Sequence, residues 1–589
     1  MIRETAKAEH ESYDVLVVGG GIFGACAAYE AASRGLRVVL VERADFAGAT
    51  TANSYKIVHG GIRYLQHGDV GRVRESSRER SALLRTAPHL VRPMPILIPT
   101  YGRGMKGKAV LRAGFKLYEW LTADRNRGIA DPSRRIPAAR ARSRAETLAR
   151  FPGLPDDRLT GGIVFCDGQM YSPPRIALAY LRSAAEAGAT LLNYAEVTGL
   201  DVEEGRVRGA VVHDRLTDRR KTVRADVVLN ATGPWTGRLL DEALDLDLGP
   251  ERPVFSRDVG LVTRRKLAGE MGLACPTTTR DAEALVDRGG RHLFLLPWRD
   301  TTLVGVWHGV WSGSPDRVTV KAEELADYVD EANRAYPGLD LRTQDVVMVN
   351  TGLILYGAED ETSREHHFGH ESLLFDHAER HGVEGIVTLV GVRATMARGV
   401  AERAIDLVFR KLGRPAIASD TDTAPIWGGD VDDFDALVRR IGDTETGGMR
   451  LPGGVARQLA HNHGSRYVEV LEPARERPDL ATPYPGTTVL PAQVVHAVRR
   501  EMAITLEDVL TRRTDLGTAA APTAPVLDAV ASDMASEAEW DEARTRAEIA
   551  GAREFFAQRG AVRAFDGRPP ATETGGAVSV GTTTGEGPA

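Results

Sequence analysis

The stretch Tyr13-Asp14-Val15-Leu16-Val17-Val18-Gly19-Gly20-Gly21-Ile22-Phe23-Gly24 decides the fold. A short apolar run that meets glycines reads as a buried strand of a parallel sheet. Gly19, Gly21 and Gly24 have the GxGxxG spacing. Ala25–Ser33 is Ala-rich and reads as a helix stopped by Gly35, and Leu36–Glu42 reads as a second strand. Strand, turn, helix, strand and terminal acid together make a βαβ dinucleotide cradle rather than a ligand-free glycine turn. In such a cradle Gly19 permits the tight turn. Gly21 lets the backbone approach a pyrophosphate, and Gly24 lets helix and sheet pack closely. The helix N-terminus offers N–H groups and a positive dipole end to the anion. Glu42 suits ribose hydroxyls and repels a 2′-phosphate, which disfavours NADP.

Composition excludes several classes. The chain has 589 residues, 42% hydrophobic and 26% charged, with a formal net charge of −6. That fits a globular protein and gives no cationic surplus for nucleic acid. The three cysteines, Cys26, Cys166 and Cys275, form no CxxC, so a zinc cluster or disulfide framework is not expected, no metal is expected, and a reducing cytoplasm is the default. Cys26 is expected to be core. No run approaches the ~18 apolar residues of a membrane span, and the N-terminus lacks a secretory signal.

Strands are expected at Thr190–Leu192, Val207–Val212, Val227–Asn230, Leu293–Leu296, Thr302–Val306 and Ile386–Val390, with helices at Pro174–Gly188, Ala322–Ala335 and Ala397–Leu412. The class is therefore α/β. Past residue 430 the pattern turns helical: Asp433–Ile441, Val455–Gly464, Arg466–Leu471, Pro491–Met502, Thr505–Thr511 and Ser536–Arg559. A boundary is expected near Asp420–Gly429. Residues 1–12 are expected to be frayed and 567–589 disordered. Val110, Leu111, Leu117, Tyr118 and Leu121 repeat at helical spacing beside Lys106, Lys108, Arg112 and Lys116. With Phe115 and Trp120 this segment, Met105–Leu121, reads either as a surface helix with its stripe on the core or as a membrane-surface helix.

FAD and NAD share the cradle fingerprint. Asn230-Ala231-Thr232-Gly233-Pro234-Trp235 and Val390-Gly391-Val392-Arg393-Ala394-Thr395 are two further strand–small-residue junctions. A chain returning three times to one long cofactor suits FAD better.

The segment Ala49-Thr50-Thr51-Ala52-Asn53-Ser54-Tyr55-Lys56-Ile57-Val58-His59-Gly60-Gly61-Ile62-Arg63-Tyr64-Leu65 strongly resembles the FAD-dependent glycerol-3-phosphate dehydrogenase family. The likeness continues through Glu79-Arg80, Ala87-Pro88-His89-Leu90, Asp167-Gly168-Gln169, Pro297-Trp298 and the C-terminal run Arg499–Thr514. It implies a D-amino-acid-oxidase-type flavoenzyme spanning 13–420. Its Rossmann-like FAD-binding parts are 13–95, 160–240 and 385–415, and its mixed-sheet substrate parts are 96–159 and 241–384. A helical C-terminal domain at 430–560 follows. Cofactor contacts carry over to Gly19, Gly21, Ile22, Phe23, Gly24, Glu42, Arg43, Thr50, Thr51, Ser54, Lys56, His59, Gly60, Gly61, Val197, Ala231, Thr232, Gly233, Trp235, Gly391, Arg393 and Thr395. The family passes hydride from a secondary alcohol to flavin N5 and electrons on to quinone or oxygen. Peripheral contact with the inner face of a membrane and a homodimer stay open.

The departures fall on the substrate side. Gly352-Leu353-Ile354-Leu355 stands where the family has Gly-Val-Arg-Pro, and Ser256-Arg257-Asp258-Val259 where it has Lys-Gly-x-His. Gly305-Val306-Trp307-His308 replaces Gly-Thr-Thr-Asp. Ile354, Val259 and Trp307 are expected to make the pocket more apolar, with Arg257 compensating the lost cation. His308 and His59 are the candidate bases. Arg63 and Arg393 are candidate anion or reduced-flavin ligands; structural roles are the alternative for all four. Three functions follow: oxidation of glycerol 3-phosphate or a related polyol phosphate, oxidation of a less charged alcohol or amine, or flavin binding without catalysis.

Overall fold

In the computed structural model, which describes residues 1–102, 107–246, 248–277, 292–358, 371–446, 448–560 and 578–581, the run that opens the glycine motif is the strand Ser12–Val18. It lies between Arg219–Asn230 and Val38–Val41, parallel to both. Thr190–Leu192 and Ile386–Val390 extend the parallel sheet on either side. Leu373–Asp376 and the hairpin Ala195–Glu203/Arg206–Asp214 join it antiparallel. Both faces are covered. Helices Ile22–Ser33, Pro173–Glu186 and Ala397–Lys411 share a core with Val15, Val17 and Leu40, while Leu16, Val18 and Val39 pack on the hairpin side. That double burial explains the unbroken apolar run, and the alanines of the first helix let it lie close to its neighbours.

A second, mixed sheet runs Val346–Ala358, Pro253–Thr263, Thr301–Trp311, His292–Trp298, Gly272–Pro276, Val91–Tyr101, Leu159–Met170, Ile57–Val58. Its one parallel pairing joins Gly272-Leu273 to Ile96-Leu97. The prolines at 93, 95 and 99 disguise Val91–Tyr101 as loop. They are tolerated because the neighbour on that side covers only Ile96 and Leu97, so the missing N–H groups break no ladder. Helix Ala322–Ala335 lies against this sheet through Val329 and Ala332.

The C-terminal helices bridge the two sheets. Phe434, Val455, Leu459 and Val470 join the core of the first, and Val494, Leu510, Val530 and Phe556 that of the second. Several expectations need correcting. Residues 1–12 are not frayed: Thr5–His10 is helical and Arg3 pairs with Asp214 at 2.9 Å. Ser536–Arg559 is two helices, Ala524–Ala538 and Glu542–Gln558, separated by left-handed Glu539 and N-capped at Asp541. In the tail expected to be disordered, Val578–Gly581 is a strand paired with Arg317–Val320; the rest of that tail lies outside the described residues. Lys108–Leu121 is a helix with Phe115 and Tyr118 in the core, so Phe115 is no interface residue, whereas Trp120 is 74% exposed. Met105 and Lys106 lie outside the described residues. No described helix is long and apolar enough to cross a membrane. All three cysteines are free and buried, Cys26 among the core residues of the first helix.

Candidate functional site

The two sheets enclose one cavity of about 1660 Å³, larger than the roughly 300–1,000 Å³ of common small-molecule sites. Its floor is the glycine turn. Gly19 has φ +107°, and a Cβ there would sit 2.6 Å from the Ala231 carbonyl oxygen, so only glycine lets the first and second returns of the chain meet. At Gly21 a Cβ would approach only Thr51 Oγ1, at 3.5 Å, leaving the backbone open to the cavity. Gly21, the N-cap, has no side chain to close the helix it starts, and the Ile22 N–H donates instead to Thr51 Oγ1 at 3.0 Å. Glu42 lines the cavity and accepts from the Gly20 and Ala44 N–H groups at 2.7 and 3.0 Å. Burial raises its carboxyl above the usual range against those bonds. Val197 and Arg43 line the same end. The Arg43 guanidinium lies 4.2 Å from the Trp235 ring, and both side chains hold Asp316.

Further in, Thr50 Oγ1 donates to the Leu353 carbonyl at 3.0 Å, tying the small-residue loop to the second sheet. Ser54, Lys56, His59, Gly61, Gly233, Gly391 and Thr395 follow along the wall with Phe23, Ala231 and Thr232. Lys56 adopts φ +64° and is buried. Its ammonium donates to the Ser54 carbonyl at 3.2 Å and faces the Trp298 ring at 4.6 Å. Burial, with the charges of Arg299 and Arg559, lowers its pKa to about 7. Ser54 Oγ and Asn53 Oδ1, on the same loop, are buried without a hydrogen-bond partner. Gly24 and Gly60 do not line the cavity, contrary to the roles implied for them. A Cβ on Gly24 would fall 1.9 Å from the Gly19 carbonyl oxygen, and one on Gly60 2.0 Å from Arg80 Nη1. Both glycines serve packing.

His59 donates its N–H to Thr395 Oγ1 at 3.0 Å, and its Nδ1 is 3.8 Å from Asp167. Asp167 also accepts from Arg80 at 2.6 Å and from the Gly60 N–H at 2.7 Å. Burial works to raise its carboxyl, but His59, Arg80 and Gly60 outweigh that and hold it below the usual range.

The second-sheet wall sorts by strand alternation, a two-residue period. Asp258, His308, Gly352 and Ile354 line the cavity. Val259 and Trp307 do not. Val259 is fully buried among Leu261 and Val304, and Trp307 stacks on Tyr328 at 4.6 Å and donates to Glu331. Arg257 does not compensate the lost cation either, because it pairs with Glu324 on that other face. Of Ile354, Val259 and Trp307, Ile354 alone lines the pocket, and Val306, which stands where the resemblance leads to a threonine, lines it too. Asp258, to which the sequence assigns no role, has its Oδ1 2.6 Å from His308 Nδ1.

Arg63 and Arg393 both line the cavity. Arg393 bonds the Tyr64 hydroxyl, and among the described residues no carboxylate pairs with it. Burial and the charge of Arg63 lower its pKa to about 10. No group of three or more His, Cys, Asp or Glu is arranged to hold a metal among the described residues.

A helix that starts at a glycine with its backbone open to the cavity, an acid at the end of the second strand, a buried lysine amine that meets no carboxylate among the described residues and two loop oxygens without a hydrogen-bond partner fit a dinucleotide whose ring system reaches the second sheet. The fold and cavity define a flavin-dependent oxidoreductase. Residues 14–407 match the family of FAD-dependent oxidoreductases, and 419–545 match the C-terminal domain of alpha-glycerophosphate oxidase. The glycerol-3-phosphate dehydrogenase of Synechocystis sp. is 32% identical over 530 residues, covering 87% of this chain and 90% of that protein. The mitochondrial glycerol-3-phosphate dehydrogenase of Mesocricetus auratus is 30% identical over 92% of this chain and 73% of its own length. The structure of the Bacillus halodurans glycerol-3-phosphate dehydrogenase complexed with FAD superposes with a TM-score of 0.70 at 24% identity, covering 94% of this chain and 96% of that one, and shares the fold. The chain belongs to the FAD-dependent glycerol-3-phosphate dehydrogenase family.

Proposed function

We propose that the protein oxidises the secondary alcohol of glycerol 3-phosphate or a related polyol phosphate. The observation that carries this reading is Arg393: a cation held at the cavity without a carboxylate partner among the described residues, with Arg63 on the same wall. A pKa of about 10 leaves Arg393 charged at neutral pH. A guanidinium group that meets no carboxylate among the described residues suits a phosphate dianion better than a neutral donor. FAD, when bound, supplies the two-electron acceptor for the carbinol hydrogen. The chain's own part is to seat the pyrophosphate at Gly19–Phe23, the ribose at Glu42 and the ring system along Ser54–Gly61, Gly391 and Thr395. The apolar Phe294, Leu303 and Ile354 keep water from the reacting carbon. We place the domain limits at 13–420 and 430–560, a reading that the family matches over 14–407 and 419–545 support. Quinone or oxygen takes the electrons onward, and exposed Trp120 and Leu117 on the Lys108–Leu121 helix support docking at a membrane face.

The test is anaerobic mixing. Glycerol 3-phosphate should bleach the visible flavin band of the wild type, and Arg393→Met should weaken the substrate by ~10–100-fold, the worth of a charge-assisted contact. Ile354, aliphatic where the resemblance leads to an arginine, favours a second reading, a less charged alcohol or amine. Bleaching by such a donor with none by polyol phosphates would establish that second reading instead.

A further inference from the structure

We propose that Asp258 and His308 form a cross-strand dyad that removes the proton of the substrate's carbinol hydroxyl, with His308 as acceptor and Asp258 as its positioning residue. This rests on the alcohol-oxidation reading above but not on the phosphate.

Geometry carries it. Asp258 on Pro253–Thr263 and His308 on Thr301–Trp311 are directly opposite in the ladder, so both project from one face. That face is the cavity, while Arg257, Val259 and Trp307 take the helix side. The Nδ1–Oδ1 separation is 2.6 Å, just under the ~2.7–2.9 Å of charge-assisted N–H···O hydrogen bonds. The Ser256 hydroxyl donates to the same carboxylate oxygen at 3.2 Å. An ionised carboxylate only accepts, so the bond requires the proton on Nδ1 and makes Nε2 the basic nitrogen of the neutral ring. Both side chains are 20% exposed, which shields the pair without sealing it.

The dyad also sits at a suitable depth. Asp258 is the ladder partner of Gly352 on its other side, and a Cβ on Gly352 would touch Thr50 Cγ2 at 3.1 Å. His308 therefore stands about two strand spacings, roughly 10 Å, from the loop that carries Thr50. The competing histidine is held less firmly. His59 is 47% exposed and lies 3.8 Å from a carboxylate already engaged by Arg80 and Gly60.

In the step, the carbinol O–H bond breaks and its proton goes to His308 Nε2. The carbinol hydrogen leaves carbon with both bonding electrons for FAD, the C–O bond becomes C=O, the alcohol is oxidised and FAD is reduced. His308 then returns the proton to solvent.

Flavin reduction by the fastest donor of an alcohol panel tests this in the FAD-loaded enzyme, with inorganic phosphate binding measured alongside by calorimetry. His308→Ala and Asp258→Asn should slow reduction ~10²–10⁴-fold, the range for losing a general base or its orienting carboxylate. FAD content and the phosphate Kd should stay within about threefold, because neither group touches that anion. Added imidazole should restore part of the His308→Ala rate, and Asp258→Glu part of the Asp258→Asn loss; a purely packing role predicts neither rescue. A His308→Ala enzyme reduced within threefold of wild type would overturn the proposal, as would imidazole rescue confined to His59→Ala. A non-phosphate donor that still shows the dyad pattern removes the polyol-phosphate reading alone. A wild type reduced by no alcohol removes both.

Discussion

Arg513→Ala should cost the protein about 3–5 kcal/mol and much of its hold on FAD, the size expected for breaking a buried ion pair from one side. Asp45 follows the ribose-end strand and is 3% exposed. Arg513 grips both its oxygens at 2.7 Å, and Arg512 adds a third bond at 2.6 Å. Burial would raise the Asp45 carboxyl, but the two guanidinium charges win and hold it below the usual range. Arg512 also bonds Asp508 and Glu507, and Asp508 accepts from the Tyr194 hydroxyl. The Tyr194 N–H in turn donates to the Ala44 carbonyl, so the C-terminal layer closes a ring around the loop that begins at Glu42. Removing Arg513 leaves a buried carboxylate half-compensated. Against a total stability of ~5–15 kcal/mol such a loss is severe. Urea unfolding of the holoenzyme and FAD fluorescence release should both register it. Asp45→Asn combined with Arg513→Ala should cost less than the two single changes summed. An unfolding free energy within about 0.5 kcal/mol of wild type would show the ring to be ornamental.

That ring marks the limit of what the sequence makes legible. The βαβ unit could be read because its signals are local: the apolar run, the glycine spacing, the alanine helix and Glu42 all fall within one short segment. Ile386–Val390 and Ala322–Ala335 were likewise bounded by their own residues. The site was legible as far as one strand at a time allowed. Val259 and Trp307 sit beside Asp258 and His308 in sequence, yet strand parity sends the two pairs to opposite faces, and parity needs the ladder register. Register also turns Asp258 into a partner of His308, 50 positions away. Asp45 and Arg513 stand 468 positions apart, beyond any local pattern. One miss was avoidable: Asp541, whose side chain accepts from the Arg544 N–H, is a helix start signal inside the segment read as a single helix.

Acidification should loosen the interface between the C-terminal helices and the FAD-binding sheet well before ordinary carboxylates titrate. His89, His461, His463 and His496 are buried there with Arg175, Arg182 and Glu501. Burial first, and then mainly the charges of Arg175 and Arg134 for His89 and of Arg182 and Arg175 for His496, lower both pKa values to about 3, against the nearby Glu501 in the second case. His461 and His463 are lowered for the same leading reason. The sign follows from proton uptake. Below about 6.5 the unfolded histidines bind protons that the folded ones refuse, so stability is complete above that pH and falls as pH drops toward the folded values. From pH 7 to 5 each of His89 and His496 should cost about 2 kcal/mol, together ~4 kcal/mol. Buried Glu30 and Glu79, whose carboxyls are raised chiefly by burial, pull the other way over part of this range. The informative quantity is therefore a difference between proteins. His496→Gln keeps a hydrogen-bonding side chain for Arg182, now 2.9 Å from His496 Nε2, while removing the titration. Its unfolding free energy should fall by about 2 kcal/mol less than wild type between pH 7 and 5. Parallel pH curves for the two proteins would mean that His496 takes up its proton in the folded state as readily as in the unfolded chain, and that this interface senses no acid.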